Sequence, residues 1–458
     1  MGEPGEHGMK FPSSLWNTFK NDKLLQKVIK NTGYLLSSNV LSMGLSMVQS
    51  VLAGRLLGVA GFGVIGTITA FASMLNRLFS FRMNELVVKY FGEATIQNKP
   101  ERAAAVVKAA VLGETISATL SFIVIIFLAP FAATKLADDA ATTNLFILYG
   151  SMVLANFATE TSTGVLQVKN KFRNQAVVNL ISSVMTASIV FWAFFTKKGL
   201  IEVMAAYLVG KFVLGLGTAA LGWSEMQKEF GNGWLRTSFD KLPPFKELFG
   251  FAFSTNISST VIMLVRDNEA LWIAWFLSPV EVGYTKTALA IINLVQIPIT
   301  PFISTTYPEI NAAVTKKDWP LLRRLLKRVT LISGGWTGIT AVGLALFGRW
   351  LLGFYGPDFQ PAYVPMLLFL AGLGFANIFF WNRPLLLSLG LPMVPYRISL
   401  WCGIAKVALA ILLVPILGLN FEAILLSLFF IISISWIILR GWQEVQKMEA
   451  LHQECSQV

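Results

Sequence analysis

The chain has 458 residues, of which 55% are apolar and only 14% are charged, and its mean hydropathy is +0.62. In a soluble protein about a quarter of the residues are charged, so the composition excludes a chain of two or three ordinary soluble domains. The only histidines are His7 and His452, and the cysteines Cys402 and Cys455 stand far apart. This pattern excludes a histidine-rich metal site and the cysteine spacing of a zinc site. We expect neither a cofactor nor a metal.

Residues 1–31 predict a polar tail that ends in an amphipathic helix at the membrane surface. Trp16, Phe19, Lys20 and Lys23 interleave aromatic and basic side chains within this segment. Helices of this composition lie at the level of the lipid headgroups, because the rings enter the acyl boundary while the cations meet anionic lipid.

Apolar stretches that are long enough to cross a bilayer recur along almost the whole remaining chain. The hydrocarbon core takes roughly 20 residues of a helix. Twelve such stretches lie near residues 32–57, 62–86, 105–130, 143–168, 175–196, 201–222, 249–277, 283–307, 324–348, 363–388, 395–416 and 421–440. We therefore predict an all-α polytopic membrane protein of about twelve transmembrane helices.

A polar stretch near residues 224–247 divides the twelve predicted spans into six and six. The predicted units are 1–31, a cytoplasmic tail with an interfacial helix; 32–222, an N-lobe of spans 1–6; 223–248, a cytoplasmic linker; 249–440, a C-lobe of spans 7–12; and 441–458, a cytoplasmic tail.

The basic residues are distributed unevenly between the two predicted sides of the membrane. Of the 37 Lys and Arg residues, twenty-five fall in the tails and the even-numbered loops, four in odd-numbered loops and eight within spans. Because Lys and Arg are retained on the cytoplasmic side of short loops, both termini are predicted to be cytoplasmic. The net charge of +12 is then explained by topology and contact with anionic lipid. We expect no nucleic-acid partner.

The two halves of the chain show a weak internal repeat. When the second half is placed on the first without gaps, Leu57 falls on Leu277, Gly63 on Gly283, Thr67 on Thr287 and Ala70 on Ala290. Shifts by one position to either side pair Ala155 and Asn156 with Ala376 and Asn377, and Gly199 and Leu200 with Gly418 and Leu419. Six spans return the chain to its starting side, so the pattern predicts parallel repeats related by an axis along the membrane normal.

Eight cations within predicted spans require an explanation, because one at mid-bilayer costs about 2.5–3.5 kcal/mol on insertion scales. They are Arg55, Arg77, Arg82, Lys211, Arg266, Lys286, Arg383 and Lys406, against five acids, Glu85, Glu114, Glu160, Asp267 and Glu269. This excess predicts a positively charged cavity between the lobes, which would select an anion.

Helical spacing adds polar companions to these charges. Lys286 and Asn293 lie on one face of span 8, Thr255, Ser259 and Arg266 on one face of span 7, and Asn156 and Glu160 on one face of span 4. Such stripes must face protein or a water-filled cavity.

The same charges also have structural interpretations, which stay open. Arg55, Arg82 and Lys286 are close enough to span ends to reach the interface. Lys211 and Lys406 can do the same or pair with an acid of their own lobe. Arg82 with Glu85 and Arg266 with Glu269 have the i,i+3 spacing of helical ion pairs.

Four segments resemble a known family of transporters. They are Ala53–Gly66 (AGRLLGVAGFGVIG), Phe79–Ala94 (FSFRMNELVVKYFGEA), Val265–Ile291 (VRDNEALWIAWFLSPVEVGYTKTALAI) and Tyr307–Ile310 (YPEI). These segments are similar to the O-antigen and polysaccharide flippases of the multidrug/oligosaccharidyl-lipid/polysaccharide exporter superfamily, and the resemblance covers roughly residues 30–440.

The resemblance implies two six-helix lobes around a cationic cavity, which carry a polyprenyl-pyrophosphate-linked oligosaccharide to the outer leaflet of a bacterial inner membrane by alternating access. It makes Arg77, Arg82, Arg266 and Lys286 candidates for pyrophosphate contacts, with Arg383 and Arg55 as further cavity cations. A driving ion would use Glu85, Asp267, Glu160 or Glu269. Expected partners are the lipid-linked sugar, membrane lipids, a polysaccharide polymerase and glycosyltransferases.

The same residues bear on other classes of protein. An ATP-driven pump needs a GxxxxGK[ST] loop, which is absent from the sequence. A membrane glycosyltransferase needs acidic or histidine groups on large outer loops, and here those loops hold only scattered acids such as Asp138, Asp139 and Asp358. An ion-coupled drug or cation antiporter of the same fold is the main alternative. The sign of the cavity disfavours it, as does the lack of an acid in span 1.

Overall fold

The computed structural model describes residues 23–244, 248, 268–296 and 299–457. Throughout these ranges the regular elements are helices, joined by short turns, several of them of the 3-10 type. The α-helices are α1 Lys23–Phe79, α2 Met83–Ile96, α3 Pro100–Leu136, α4 Thr143–Gly150, α5 Met152–Ala155, α6 Thr159–Val168, α7 Phe172–Phe195, α8 Leu200–Phe230, α9 Glu269–Phe276, α10 Pro279–Gln296, α11 Thr300–Thr315, α12 Trp319–Gly353, α13 Tyr363–Ile378, α14 Asn382–Ser388 and α15 Met393–Gln457.

Eight stretches within the described ranges are long and apolar enough to cross a membrane, and they run from 24 to 60 residues. The two longest stretches, Ser37–Ile96 and Met393–Leu451, include most of α1 and of α15, which bend at Gly58 (φ 67°) and Gly418 (φ 74°). Glycine occupies this left-handed region without the steric penalty of a Cβ, so each bend lets a continuous helical stretch change direction at one residue, as the predicted division of each stretch into two spans requires. The prediction of an all-α polytopic membrane protein is confirmed, and the count of twelve spans stays a prediction.

The predicted repeat is visible at the contact between the two halves. A Cβ on Gly63 would lie 1.7 Å from the carbonyl oxygen of Pro279, and a Cβ on Gly283 would lie 2.3 Å from that of Val59. Val59 and Pro279 are themselves paired by the offset that pairs the two glycines. Equivalent residues therefore make reciprocal contacts, as they do across a two-fold axis.

A local hydrogen bond repeats with the same offset. The Thr67 hydroxyl donates to the carbonyl of Gly63 at 3.2 Å, and the Thr287 hydroxyl donates to the carbonyl of Gly283 at 2.9 Å. The bond satisfies a buried hydroxyl within its own helix. It leaves the glycine face clear for the other half of the molecule.

Two of the predicted spans are broken at matching positions. α5 ends at Ala155 and α6 begins at Thr159, whereas α13 ends at Ile378 and α14 begins at Asn382. Asn156 and Asn377, which the sequence repeat pairs, stand beside these two breaks. Non-helical backbone at membrane depth is tolerated only where protein buries it or a cavity hydrates it, so both breaks face the interior.

Two helices extend further than the predicted spans. α8 continues through the first part of the predicted linker to Phe230, and Trp223 packs there against the buried Trp234 at 5.2 Å between ring centroids. α15 continues through the predicted tail to Gln457, and an ion pair joins Arg323 to Glu449. Burial of apolar side chains beyond the membrane stabilises both extensions.

Candidate functional site between the two lobes

The two halves touch at one end of the bundle through an aromatic cluster. Phe62 lies 6.2 Å from both Tyr355 and Phe359 between ring centroids, and all three side chains are at most 1% exposed. The Tyr355 hydroxyl donates to the hydroxyl of Ser50 at 3.0 Å. The distribution of Lys and Arg predicts that this end faces outward, and it is called the outer end below.

Arg55 lies at the outer end and contacts backbone atoms of the other half. Its Nε donates to the carbonyl oxygen of Phe354 at 2.5 Å, and its Nη2 donates to that of Gly353 at 3.4 Å. These carbonyls belong to the C-terminal end of α12, where helix carbonyls lack partners within the helix and attract a cation. Arg55 was predicted as a cavity cation. The structure places it as a tie between the lobes.

Lys286 lies at the interface of the lobes, next to the same aromatic cluster. Its ammonium is 4.5 Å from the ring centroid of Phe62 and 5.6 Å from that of Tyr207. A Cβ on Gly66 would lie 3.2 Å from Lys286 Cδ, so the glycine leaves room for the lysine stem. The half-buried ammonium has no carboxylate within salt-bridge distance among the described residues. The rings stabilise the cation and leave its charge uncompensated.

Two further cations continue from Lys286 away from the outer end. Lys211 follows Tyr207 by one helical turn on the same face of α8. Lys211 and Arg77, at the end of α1, are both exposed and lie within electrostatic range of each other. Because an exposed cation at this depth does not face lipid, we interpret Lys286, Lys211 and Arg77 as a cationic row along the inter-lobe face.

The other predicted cavity residues have varied surroundings. The Arg82 guanidinium pairs with Glu85, as the i,i+3 spacing predicted, and both side chains are well exposed. Arg383, at the start of α14, and Asn293 on α10 are exposed. The predicted residues Thr255, Ser259, Arg266 and Asp267 lie outside the described residues.

Glu114 and Glu160 meet at the break between α5 and α6. The Glu114 carboxylate accepts the backbone N–H groups of Glu160 at 2.7 Å and Thr161 at 2.9 Å, which caps the start of α6. The Ser80 hydroxyl donates to Glu160 Oε1 at 2.7 Å. Asn156 lies beside the same break. The arrangement stabilises the interrupted span and brings two predicted polar residues together.

Two cavities flank this break. A polar cavity of about 210 Å³ is lined by Ser80, Ser117, Asn156 and both carboxylates, among others. An apolar cavity of about 270 Å³ lies on the other side, against Trp223 and Trp234. Neither contains a residue of the cationic row.

The C-terminal half holds a buried charge cluster that the sequence analysis found only in part. The Lys406 ammonium contacts Glu269 Oε1 and lies 3.0 Å from Glu422 Oε1, and the three side chains are 3%, 6% and 0% exposed. The open alternative that Lys406 pairs with an acid of its own lobe is thereby confirmed. Glu422 was missed because it lies at the edge of a predicted span. The sequence feature that could have identified it is an acid at the second position of an apolar stretch.

Glu422 adds a sixth acid to the five considered above, and the eight cations still exceed them. Among the residues that the structure describes, no group of three or more His, Cys, Asp or Glu side chains is arranged to hold a metal ion.

Comparisons with known proteins agree with this architecture. The inner membrane protein YghQ of Escherichia coli strain K12 is 25% identical over 346 residues, which are 75% of this chain and 96% of that protein. A structure described as the inward-facing conformation of a multidrug resistance MATE family transporter of the MOP superfamily matches with a TM-score of 0.70 and 12% identity, over 90% of this chain and 96% of that one. The lipid II flippase MurJ, in an inward closed conformation, matches with a TM-score of 0.69 and 14% identity, over 92% and 90%.

These structural likenesses identify the fold, which transporters and a lipid flippase share. The family assignment comes from a separate comparison, in which the family described as Polysaccharide biosynthesis protein matches residues 28–313, more than half of the chain. The chain belongs to this family of polysaccharide biosynthesis proteins, on the fold of the MOP superfamily transporters.

Proposed function

We propose that this protein is a flippase that moves a polyprenyl-pyrophosphate-linked oligosaccharide from the cytoplasmic to the outer leaflet of a bacterial inner membrane. The observation that carries the proposal is the cationic row of Lys286, Lys211 and Arg77. Lys286 in particular has aromatic neighbours and, among the described residues, no carboxylate within salt-bridge distance. An anion that enters between the lobes can supply the missing negative charge.

The row suits a pyrophosphate because its members lie at successive depths. Lys211 is about 6 Å further along α8 than Tyr207, at a rise of roughly 1.5 Å per residue. A pyrophosphate can therefore bind near Arg77, whose guanidinium fork matches phosphate oxygens, and then transfer to Lys211 and Lys286. Each transfer exchanges one cation for the next, so the charged group is never without a partner in the low-dielectric interior.

Alternating access requires that the contacts at the outer end open once the headgroup has passed inward of them. The Arg55 bonds and the pair Tyr355 and Ser50 are few and polar, and the aromatic cluster behind them is compact. Because a packed interface has discrete arrangements rather than continuous ones, separation of the lobes would break these contacts together. The headgroup would then leave on the outer side while the prenyl chain stays in lipid.

Two relatives support the substrate class and the location. MurJ is described as a lipid II flippase, and YghQ is described as an inner membrane protein. The family description adds polysaccharide biosynthesis. By analogy, sugar transferases that build the lipid-linked oligosaccharide and a polymerase that uses it are the expected partners.

An ion-coupled drug or cation antiporter is the second candidate. The acidic cavity at the break of span 4 favours it, since Glu114 and Glu160 could receive a cation there. The likeness to a MATE transporter is compatible with the same activity. The cationic row is not, because a cationic drug would meet like charge at the lobe interface.

The two candidates are separated by a binding experiment on the purified protein. The probe is a polyprenyl pyrophosphate, with the corresponding neutral polyprenol as the reference ligand. We expect the double variant Lys286→Met with Lys211→Met to bind the pyrophosphate at least about tenfold more weakly, as loss of a charged hydrogen bond predicts. Binding of the polyprenol should be unchanged.

Lys327→Met is the matched control, because Lys327 is exposed near the start of α12 and outside the row. Equal pyrophosphate binding by the double variant and the wild type would refute the role of the row. Tight binding of a cationic drug together with no binding of the pyrophosphate would favour the antiporter.

A further inference from the structure

We propose that Glu269, Lys406 and Glu422 form a proton-binding site in the C-lobe and that this site couples translocation to a proton gradient. The coupling part of the proposal rests on the proposed transport function, and the presence of the bound proton does not. The three residues come from three separate stretches of the C-terminal half: Glu269 begins α9, and Lys406 and Glu422 lie on either side of the bend in α15.

The charge count within this cluster is the first argument. One ammonium contacts two carboxylates, so the fully ionised cluster carries one negative charge in excess. Its side chains are at least nine-tenths buried, and an unbalanced charge in such a place is strongly unfavourable. One bound proton makes the cluster neutral.

Hydrogen bonding gives the second argument. Glu269 Oε2 and Glu422 Oε2 are buried and have no hydrogen-bond partner among the described residues, and Glu422 Oε1 has only the Lys406 ammonium, at 3.0 Å. Both carboxyl groups contact the same ammonium, so they are neighbours in this buried cluster. Because two carboxylates have only acceptors between them, a proton on one supplies the donor that the pair lacks, and the lysine keeps its own charge.

The chemistry favours a proton over a metal ion. The Lys406 ammonium already contacts both carboxylates and occupies the position that a cation would take. A sodium or calcium ion needs several oxygen ligands around one centre. Within the described ranges, the ion pairs of these three residues are those of Lys406 with Glu269 and with Glu422. Cys402, one turn before Lys406 on α15, is the other titratable side chain on this stretch of helix.

The cluster is connected to the lobe interface through α9. Glu269 at the start of this helix contacts Lys406, and Trp275 near its end packs against Phe131 of α3 at 5.9 Å between ring centroids. The ammonium of Lys135 lies 5.7 Å from the same indole. α9 therefore bridges the C-lobe charge cluster and the N-lobe, so a change in charge at one end acts on a helix that the other lobe holds.

The proposed cycle moves one proton. In the outer-closed arrangement, the proton sits between the carboxyl groups of Glu269 and Glu422. Its loss to water leaves the cluster with one uncompensated negative charge, which favours an arrangement that admits water to the carboxylates. Rebinding of a proton from the opposite side restores the neutral cluster.

Infrared spectroscopy of the purified protein tests the bound proton without any substrate. At pH 6 we expect the carbonyl stretch of a neutral carboxylic acid, equivalent to one group from this cluster. Glu422→Gln and Glu269→Gln should each remove that contribution, because a single remaining carboxylate pairs with Lys406. Lys406→Met should raise it to two groups, because neither carboxylate then has a cation.

Glu449→Gln is the control, since Glu449 pairs with Arg323 outside the predicted spans and should leave the band unchanged. The opposite response of the Lys406 variant keeps the test decisive if one glutamine variant does not fold. Unchanged bands in all three cluster variants would overturn the proton site.

Coupling is tested in vesicles that carry an imposed pH gradient. The wild type should bind and move the polyprenyl pyrophosphate faster with the gradient than without it. Glu422→Gln should bind it equally well and lose the dependence on the gradient. A glutamine variant that keeps the full dependence would overturn the coupling. If the wild type moves no lipid while the infrared band behaves as expected, the transport proposal fails and the proton site stands.

Discussion

Two lysines in the C-terminal half occupy membrane positions with opposite surroundings. Lys406 is buried against two carboxylates of its own lobe, whereas Lys286 is half-buried against Phe62 and Tyr207 of the other lobe. Lys406 has two carboxylates for its single positive charge, whereas Lys286 has no carboxylate within salt-bridge distance among the described residues. We propose that the first lysine belongs to the proton site of its own lobe and that the second binds an anionic ligand.

The comparison predicts that removing the two ammonium groups has different consequences. Lys406→Met should destabilise the protein by about 3–5 kcal/mol, because it leaves buried carboxylates without their cation. The loss should grow as the pH rises, since the carboxylates then have to stay protonated in the folded protein while they ionise in the unfolded chain. Thermal unfolding in detergent at several pH values measures this. A melting temperature unaffected by the substitution would contradict the interpretation of the cluster.

Lys286→Met should have the opposite profile. The melting temperature should stay close to that of the wild type, because no partner is left with an uncompensated charge. Export should fall about tenfold or more, as expected when one charged hydrogen bond to a phosphate of about 1.5–3 kcal/mol is lost. Surface polysaccharide and membrane protein level, measured in the same cells, check this prediction. Normal export at normal protein level would remove Lys286 from the route.

The reciprocal glycines allow the closure at the outer end to be tested from both lobes. Gly63→Ala would place a Cβ 1.7 Å from the carbonyl oxygen of Pro279, and Gly283→Ala would place one 2.3 Å from that of Val59. Both oxygens belong to the other lobe. Both variants should shift the equilibrium toward an open outer end by a comparable amount, of the order of 1–3 kcal/mol for overpacking. The labelling rate of a cysteine introduced at Phe62 reports the opening.

Gly44→Ala, on α1 with Gly63, is the control for these two variants, because a Cβ at Gly44 meets no atom within 4 Å. Faster labelling in only one of the two glycine variants would argue against a symmetric contact. It would also weaken the assignment of the outer end as a moving interface.

The smallest effect is expected at the exposed ion pair of Arg82 with Glu85. Its side chains are 45% and 39% exposed, and pairs of this kind contribute about 0–1 kcal/mol. Glu85→Gln should therefore leave thermal unfolding nearly unchanged, in contrast to Glu422→Gln. A large loss of stability in Glu85→Gln would contradict the small contribution expected for this exposed ion pair.

The sequence by itself determined the membrane placement, the helical class and the repeat. Apolar length decides the spans, because a helix satisfies its backbone hydrogen bonds within its own segment and about 20 apolar residues then cross the lipid. The nearly constant offset between the two halves predicted the equivalence of Gly63 and Gly283, and the i,i+3 spacing predicted the pair of Arg82 and Glu85. Both predictions depend on periodic or short-range patterns.

The tertiary structure decided which charges have partners. Lys406 and Glu422 lie on either side of the bend in α15 and meet Glu269 only after α9 packs against them, while Lys286 reaches Phe62 in the opposite half of the chain. Arg55 had the same signature as Lys286 in the sequence and is held by backbone carbonyls at the end of α12. Hydropathy places a residue at a depth, but it contains no information on which helix faces which. The contacts between helices therefore distinguish the cations that other protein groups hold, Lys406 and Arg55, from Lys286, which we propose binds the ligand.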